Sequence, residues 1–249
     1  MNRSDPGILI AIEGIDGAGK TTQVELLARF FEAAGEPLVR SKEPTDGPWG
    51  QKIRQSAANG RMSWQDELAA FVEDRKEHLR DKILPALSRG ETVILDRYFY
   101  STVAYQGSHG GDLESILNVV TASAPEPDAV LLLDLPPEVG RSRISEGRGE
   151  TPNAFENLAN LKAVRGAFLR LAKNRSTITR IDATASVRVV QAEILKTLLE
   201  GVLKKRHCAK KWGCDDPFNC SYRMTGECRW VDMLKLASRL SAGEPLAQS

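Results

Sequence analysis

The chain has 249 residues, with 34 basic and 33 acidic side chains and a net charge of +1. Because this charge is nearly balanced, the composition gives no argument for a nucleic-acid or membrane-surface partner. No apolar run approaches the ~20 residues of a membrane-spanning helix, and the first residues lack the apolar stretch of a signal peptide, so we expect a cytoplasmic protein.

The N-terminal segment predicts a strand, a glycine-rich loop and a helix in immediate succession. Residues 7–13 form the apolar run of a buried parallel strand, and residues 21–34 carry apolar side chains at helical spacing. Between them, GIDGAGKTT has the spacing of a phosphate-binding loop. We therefore expect a nucleotide to be bound by the following residues: Gly14, Ile15, Asp16, Gly17, Ala18, Gly19, Lys20, Thr21 and Thr22.

Each part of this loop has a chemical reason. Gly14 and Gly19 can adopt backbone angles that turn consecutive amides towards phosphate oxygens. Lys20 adds positive charge at the β- and γ-phosphates, and Thr21 offers a hydroxyl to Mg²⁺. The positive end of the following helix dipole lies beneath the anion. The loop thus indicates a magnesium nucleotide and leaves the phosphoryl acceptor open.

Further along the chain, apolar runs alternate with helical patterns. Strands are predicted at residues 37–42, 92–96, 129–134 and 176–181. This alternation predicts an α/β fold, a three-layer sandwich in which a five-stranded parallel sheet is covered by helices on both faces. Ligands of such sheets lie beyond the carboxyl ends of the strands, where this chain has acidic residues: Glu13, Glu43, Asp96, Asp134 and Asp182. We expect Asp182 to cap the helix that begins near Ser186.

The strand ending at Asp96 leads into a second motif, DRYFYSTVAYQG. Asp96 and Arg97 present a carboxylate and a guanidinium together at the phosphate-bearing rim, where they suit Mg²⁺ and phosphate respectively. A structural ion pair at the strand end is the alternative. Gln106, near the end of the motif, is either a site residue or a surface residue that begins the next loop.

The cysteines are concentrated near the C-terminus, at Cys208, Cys214, Cys220 and Cys228. Nine basic and five acidic residues follow position 200, and this change in composition predicts a boundary between a domain at 1–206 and an extension at 207–249. The cysteine spacing lacks the paired CxxC of a zinc ribbon. Three alternatives stay open: a zinc or iron–sulfur site, disulfides, or reduced thiols without a shared role. A helical run at 231–240 would dock the extension onto the core or a second subunit.

Five segments, in order from residue 7 to about residue 200, resemble the thymidylate kinase family of P-loop nucleoside monophosphate kinases. They are IEGIDGAGKTTQ, the pair Glu43 and Pro44, FVEDR at 71–75, DRYFYSTVAYQG, and PDAVLLLDLPPEVG at 127–140. The resemblance implies transfer of the γ-phosphoryl group of ATP to dTMP with Mg²⁺, and it implies a homodimer. The cysteine-containing extension lies outside the resemblance.

The resemblance also implies roles for individual residues. Asp16 approaches the sugar 3′-hydroxyl and the metal, Phe71 stacks on thymine, and Arg75 lies near the acceptor phosphate and base. Arg97 binds the acceptor phosphate, while the bulk of Tyr105 excludes a ribose 2′-hydroxyl. The implied acceptor set is Glu43, Pro44, Phe71, Arg75, Arg97, Ser101, Thr102 and Tyr105. Thr21 and Asp96 are the implied Mg²⁺ ligands.

The expected source of the catalytic arginine follows from a difference between the phosphate loop of this chain and that of some relatives. Some relatives have an arginine directly after the loop aspartate, where this chain has Gly17, so the resemblance points to relatives whose lid supplies it. We expect a lid at about 141–155, with Arg148 as the closing residue and Arg143 as its helical support. A solvated basic helix is the alternative. The lid lacks one family arginine, since Asn153 and Ala154 stand before the Phe-Glu pair.

Three functional interpretations result. In the leading one, the chain is an active dTMP kinase with the catalytic residues Lys20, Asp16, Arg97, Arg148 and Arg143. A second keeps the fold but changes the acceptor to another pyrimidine monophosphate or a thymine-like base. A third is a nucleotide-binding regulatory protein without turnover. For the 71–75 segment, the alternative to the family roles places Phe71 in the core and Arg75 in a surface pair with Glu67 or Glu73.

Overall fold

The structure is a computed structural model that describes residues 7–148, 157–208 and 229–243. Its strands form one fully parallel sheet in the spatial order β2-β3-β1-β4-β5. The strands are β1 (Ile8–Glu13), β2 (Leu38–Lys42), β3 (Thr92–Asp96), β4 (Ala129–Asp134) and β5 (Ile178–Asp182). The predicted five-stranded parallel sheet is confirmed. Only β5 begins two residues later than predicted, because the amide of Ile178 first closes a turn onto the carbonyl of Arg175.

Helices cover both faces of this sheet. They are α1 (Lys20–Ala33), α2 (Pro48–Asn59), α3 (Trp64–His78), α4 (Leu84–Ser88), α5 (Phe99–Ser108), α6 (Leu113–Thr121), α7 (Pro137–Arg148), α8 (Leu158–Lys173), α9 (Val187–Glu200), α10 (Val202–Cys208) and α11 (Arg229–Ala242). One π-helical turn, Leu79–Ile83, joins α3 to α4. Helices α1 and α9 pack together on one face, and α5 packs against α8 on the other. Every residue of β1 is accordingly buried.

Helix α11 packs against α9 and α10, and it runs antiparallel to α9. Trp230, at its start, is buried and donates its indole N–H to the carbonyl of Leu199 at 2.9 Å. Gly243, just after its end, lies against the guanidinium of Arg188 near the start of α9. The helix expected at 231–240 therefore forms and covers an apolar face of the core. None of the helices in the described residues is long and apolar enough to cross a membrane.

The loop between β5 and α9 corrects one expectation. The Asp182 carboxylate accepts hydrogen bonds from the Thr184 backbone amide at 2.9 Å and from the Thr184 hydroxyl at 2.7 Å. Such a short-range turn satisfies the carboxylate two residues along the chain, and α9 begins only after Ser186. The prediction that Asp182 caps α9 was wrong.

Candidate active site

A cavity of about 530 Å³ opens at the carboxyl ends of β1, β2 and β3. Side chains and backbone of the phosphate loop line one part of it, including Lys20 and Thr21. All eight residues of the implied acceptor set line the remainder, together with Asp96. The parallel topology thus brings the loop after β1, the Glu-Pro turn after β2 and the Asp-Arg pair after β3 to one opening.

The phosphate loop has the backbone that its glycines allow. Gly14, Gly17 and Gly19 have φ angles of 143°, 80° and 86°. Gly19 is the residue before α1, and no side chain of the described residues caps that helix. Its first amides are therefore available to an anion, and the helix dipole favours negative charge there.

Lys20 and Thr21 extend from the first turn of α1. The Lys20 ammonium donates to the carbonyl of Ile15 at 2.8 Å, and burial lowers the pKa of Lys20 to about 8. The Thr21 hydroxyl donates to the Asp96 carboxylate at 2.5 Å. Two oxygen groups from separate elements therefore meet beside the loop, and oxygen is the ligand type that Mg²⁺ prefers.

Arg97 joins the acceptor part of the cavity to the phosphate loop. Its guanidinium donates to the Gly14 carbonyl at 3.2 Å and to the Ser101 hydroxyl at 3.1 Å, and it forms an ion pair with Asp16. The Tyr105 hydroxyl donates to the same Asp16 carboxylate at 2.8 Å. The guanidinium also lies over the Tyr105 ring, 5.2 Å from its centroid. Asp16, Arg97 and Tyr105 thus form one connected group.

Arg75 is almost completely buried and paired with Glu43. Its Nε and Nη2 atoms donate to one oxygen of Glu43 at 2.9 and 2.7 Å, and Nη2 also donates to Thr102 at 2.9 Å. The other Glu43 oxygen lies 3.1 Å from His78. The Nη1 atom of Arg75 is buried and has no hydrogen-bond partner among the described residues. The alternative of a surface pair with Glu67 or Glu73 was wrong.

Comparison with known proteins identifies the family. The sequence-family model described as thymidylate kinase matches residues 12–194 of this chain. The chain belongs to the thymidylate kinase family. The thymidylate kinase of Xanthomonas campestris pv. campestris strain B100 is 50% identical over 196 residues, which cover 78% of this chain and 86% of that protein. The thymidylate kinase of Xylella fastidiosa strain M12 is 49% identical over 200 residues, 80% of this chain and 90% of the relative.

In this thymidylate kinase family member, helix α7 starts directly on the phosphate loop. A Cβ atom at Gly17 would lie 2.2 Å from the carbonyl oxygen of Gly140 in the first turn of α7, and a Cβ at Gly140 would lie 2.7 Å from the Asp16 carbonyl. The two backbones approach this closely only because both residues are glycines. The sequence carries no local signal for this role of Gly140, since the contact spans more than 120 positions.

The predicted lid residues are only partly described. Arg143 donates to the carbonyl of Ala183 at 2.9 Å and so ties α7 to the loop after β5. The Arg148 side chain and residues 149–155 lie outside the described residues, as do the Cys208 side chain and residues Cys214, Cys220 and Cys228. Within the described ranges, no group of three or more His, Cys, Asp or Glu side chains has an arrangement that could hold a metal ion.

Two buried polar residues were misjudged or missed. Gln106 is fully buried and donates to Glu67 at 3.1 Å, so the surface alternative for Gln106 was wrong. Glu13 was noted only as an acidic strand end, yet it is fully buried beneath the Asp96-Arg97 turn. Burial raises the pKa of Glu13 to about 7, although hydrogen bonds from Ser101 and the charge of Arg97 oppose that shift. A charged residue closing an otherwise apolar strand was the available signal.

Proposed function

We propose that this protein transfers the γ-phosphoryl group of MgATP to dTMP, giving ADP and dTDP. Membership of the thymidylate kinase family and relatives of that name at about 50% identity support this activity. The observation that carries it is that one cavity contains both the phosphate loop and the buried Arg75, with Arg97 between them. The Nη1 atom of Arg75 has no hydrogen-bond partner among the described residues. Donor and acceptor would meet where Arg97 lies.

The donor half needs charge and backbone amides more than reactive groups. The amides of residues 14–22 and the N-terminus of α1 would hold the phosphates. Lys20 would exchange its hydrogen bond to Ile15 for a phosphate oxygen. Thr21 and Asp96 would hold Mg²⁺, which neutralises charge on the transferred group.

The acceptor half offers a donor for a base carbonyl. The unpartnered Nη1 of Arg75 suits the O4 oxygen of thymine or uracil, whereas the amino group at that position in cytosine would set two donors against each other. Phe71 would provide the stacking surface, beside Glu43, Pro44, Ser101 and Thr102. Tyr105 is held by Asp16 and Arg97, so its ring cannot easily yield to a ribose 2′-hydroxyl.

The lid would complete the charge neutralisation. Arg97 would bind the acceptor phosphate, and Arg148 would approach the transferred phosphoryl group when the lid closes. Arg143 already fixes α7 to the Ala183 carbonyl, which supports its role as a helical anchor for the lid.

Three further inferences come from the sequence. We infer a cytoplasmic homodimer, and a kinase domain at 1–206 followed by an extension at 207–249. Packing of α11 on α9 supports an extension that docks on this same domain.

A zinc or iron–sulfur site at Cys208, Cys214, Cys220 and Cys228 stays a hypothesis beside disulfides and unlinked thiols. Metal analysis of protein purified without chelators, with thiol titration before and after reduction, separates these three.

The activity is tested by ADP release from MgATP with dTMP, dUMP, UMP and dCMP in parallel, with mass detection of the product. Preference for dTMP, with dTDP formed and dCMP rejected, is the expected result. Preference for another pyrimidine monophosphate would move the function to the second interpretation. Binding of ATP without turnover on any acceptor would support a regulatory protein instead.

A further inference from the structure

Glu13 makes three hydrogen bonds that converge on the start of α5. One carboxylate oxygen accepts from the backbone amides of Tyr98 at 2.9 Å and Ser101 at 3.2 Å. The other accepts from the Ser101 hydroxyl at 2.5 Å. The side chain lies at the end of β1 and is fully buried, so water does not compete for these bonds.

These bonds replace a cap that α5 lacks. The residue before the helix is Tyr98, whose side chain makes no capping hydrogen bond. Ser101 is the third residue of the helix, and its amide, which also donates to the Tyr98 carbonyl at 3.1 Å, is one of those that a capping side chain ordinarily satisfies. Glu13 fulfils this role from a neighbouring strand, which fixes the start of α5 relative to β1.

Arg97 lies between these anchors in an uncommon backbone conformation. Its φ angle is 68°, in the left-handed region that few residues other than glycine adopt. The Arg97 amide donates to the Ile12 carbonyl at 3.0 Å, and the next amide, that of Tyr98, donates to Glu13. The turn carrying Arg97 is therefore held on both sides by the last two residues of β1.

Glu13 also orients the hydroxyl that Arg97 uses. Because the Ser101 hydroxyl donates its proton to Glu13, its lone pairs face the Arg97 guanidinium, which donates to it at 3.1 Å. The connected path runs from Glu13 through Ser101 to Arg97, and from Arg97 to Asp16 and the Gly14 carbonyl of the phosphate loop.

We propose that Glu13 is a positioning residue for phosphoryl transfer, which holds the Arg97 turn and orients Ser101 so that the Arg97 guanidinium stays on the phosphate loop. The inference rests on the proposed function, because its readout is dTMP phosphorylation. Glu13 does not line the cavity and would act only through Ser101 and Arg97.

Protonation of Glu13 should give the reaction rate a pH dependence that a purely structural role of Glu13 would not produce. Glu13 faces the hydrogen-bond donors of Tyr98, just before α5, and Ser101 of α5. The charged groups that face it are Arg97, from the turn after β3, and Lys20 of α1. Burial raises the pKa of Glu13 to about 7, so the carboxylate that accepts all three hydrogen bonds predominates only above that pH. Below it, Glu13 is neutral and resembles glutamine.

The experiment compares kcat/KM for dTMP in the wild type and Glu13→Gln from pH 5.5 to 8.5. Because the phosphate of dTMP titrates at a pKa of about 6, the ratio of the two proteins at each pH is the quantity to plot, since substrate titration cancels. We expect a ratio of about 10 or more at pH 8.5, falling towards 1 at low pH with a midpoint near 7. The KM for ATP should change little.

Two further variants separate positioning from folding. Asp128→Asn is the matched control, because the Asp128 carboxylate accepts the Leu9 amide at 2.8 Å at the opposite end of β1. It should lower thermal stability without changing the rate. Ser101→Ala cuts the proposed path, so adding Glu13→Gln to it should have less effect than Glu13→Gln alone. This variant also replaces Glu13→Gln in the pH comparison if the latter does not fold.

The outcomes are distinct. A ratio near 1 at pH 8.5, or a ratio independent of pH, would overturn the role of Glu13 while leaving the kinase activity in place. A wild type that does not phosphorylate dTMP at any pH would instead overturn the proposed function.

Discussion

Replacing Arg75 with methionine should cost more stability than is usual for a ligand-binding residue. The side chains of Arg75 and Glu43 are each only 2% exposed, and two hydrogen bonds of 2.9 and 2.7 Å join them. Arg75→Met would leave the Glu43 carboxylate buried, and among the described residues His78, at 3.1 Å, would be its remaining hydrogen-bond partner. Breaking a buried pair by removing one partner costs about 3–5 kcal/mol, so we expect a loss of that size in the free energy of unfolding.

Removing both charges tests this reasoning. In the double variant Arg75→Met with Glu43→Gln, no unpaired buried charge remains, so the free energy of unfolding should return to within about 1 kcal/mol of the wild type. Affinity for dTMP should not return, because both variants lack the buried Nη1 donor. Loss of a hydrogen bond from a charged donor predicts dTMP binding about 10- to 100-fold weaker in each.

Urea unfolding and calorimetric titration of dTMP measure the two effects separately. Lys76→Met is the matched control one residue along α3, because Lys76 forms an exposed pair with Glu73 and should change stability by less than about 1 kcal/mol. A loss below about 1 kcal/mol for Arg75→Met, or a double variant as unstable as the single one, would refute the buried-pair argument. Unchanged dTMP affinity would remove Arg75 from the acceptor site.

Three other predictions concern the phosphate loop and the extension. Lys20→Ala should abolish turnover while the thermal unfolding transition is retained. In the wild type the pKa of Lys20 is lowered to about 8, so above that pH the bound phosphates should favour the protonated lysine. ATP binding should then take up a proton, which titration calorimetry in two buffers detects. Gly17→Ala should raise the KM for ATP and lower the melting temperature, because its Cβ would meet the α7 backbone. Gly60→Ala also has a positive φ but open space around it, so it should lower the melting temperature less, through backbone strain alone, and leave the KM for ATP unchanged; equal effects of the two variants would contradict the clash. Trp230→Ala should lose about 3–5 kcal/mol of stability while kcat is retained, whereas exposed Lys235→Ala on the same helix should be neutral; equal stability of the two would contradict the docking role.

Features encoded by consecutive residues could be predicted from the sequence. The strand, loop and helix around Lys20 depend on local spacing, and the parallel topology follows from the alternation of elements. The eight acceptor residues came from family motifs, each of which lies at the end of one strand or on one helix. Because these strand ends lie at one edge, the topology brings the strand-end motifs to one cavity, while Phe71 and Arg75 reach it from α3.

Partnerships between distant residues could not be predicted in this way. Arg75 was considered beside charges on its own helix, but its partner Glu43 lies 32 positions earlier. For Gln106, a site position and a surface position both stayed open, because nothing local indicates that Glu67 accepts its amide. The prediction that Asp182 caps α9 was wrong for the opposite reason, since the Thr184 amide binds the carboxylate before the helix begins. In each case the choice of hydrogen-bond partner was decided by packing or by a shorter-range competitor.

The contact between Gly17 and Gly140 connects two features that the sequence presents separately. A side chain at position 17 would meet the α7 backbone at 2.2 Å, so an arginine there would require α7 to move off the phosphate loop. With α7 in this position, position 17 of the loop cannot add a second cationic side chain to that of Lys20. The same helix continues to Arg148, and Arg143 fixes it to the Ala183 carbonyl on the way. The glycine at position 17 is therefore a consequence of this packing, and it supports the proposal that Arg148 on the same helix, rather than position 17, carries the mobile positive charge.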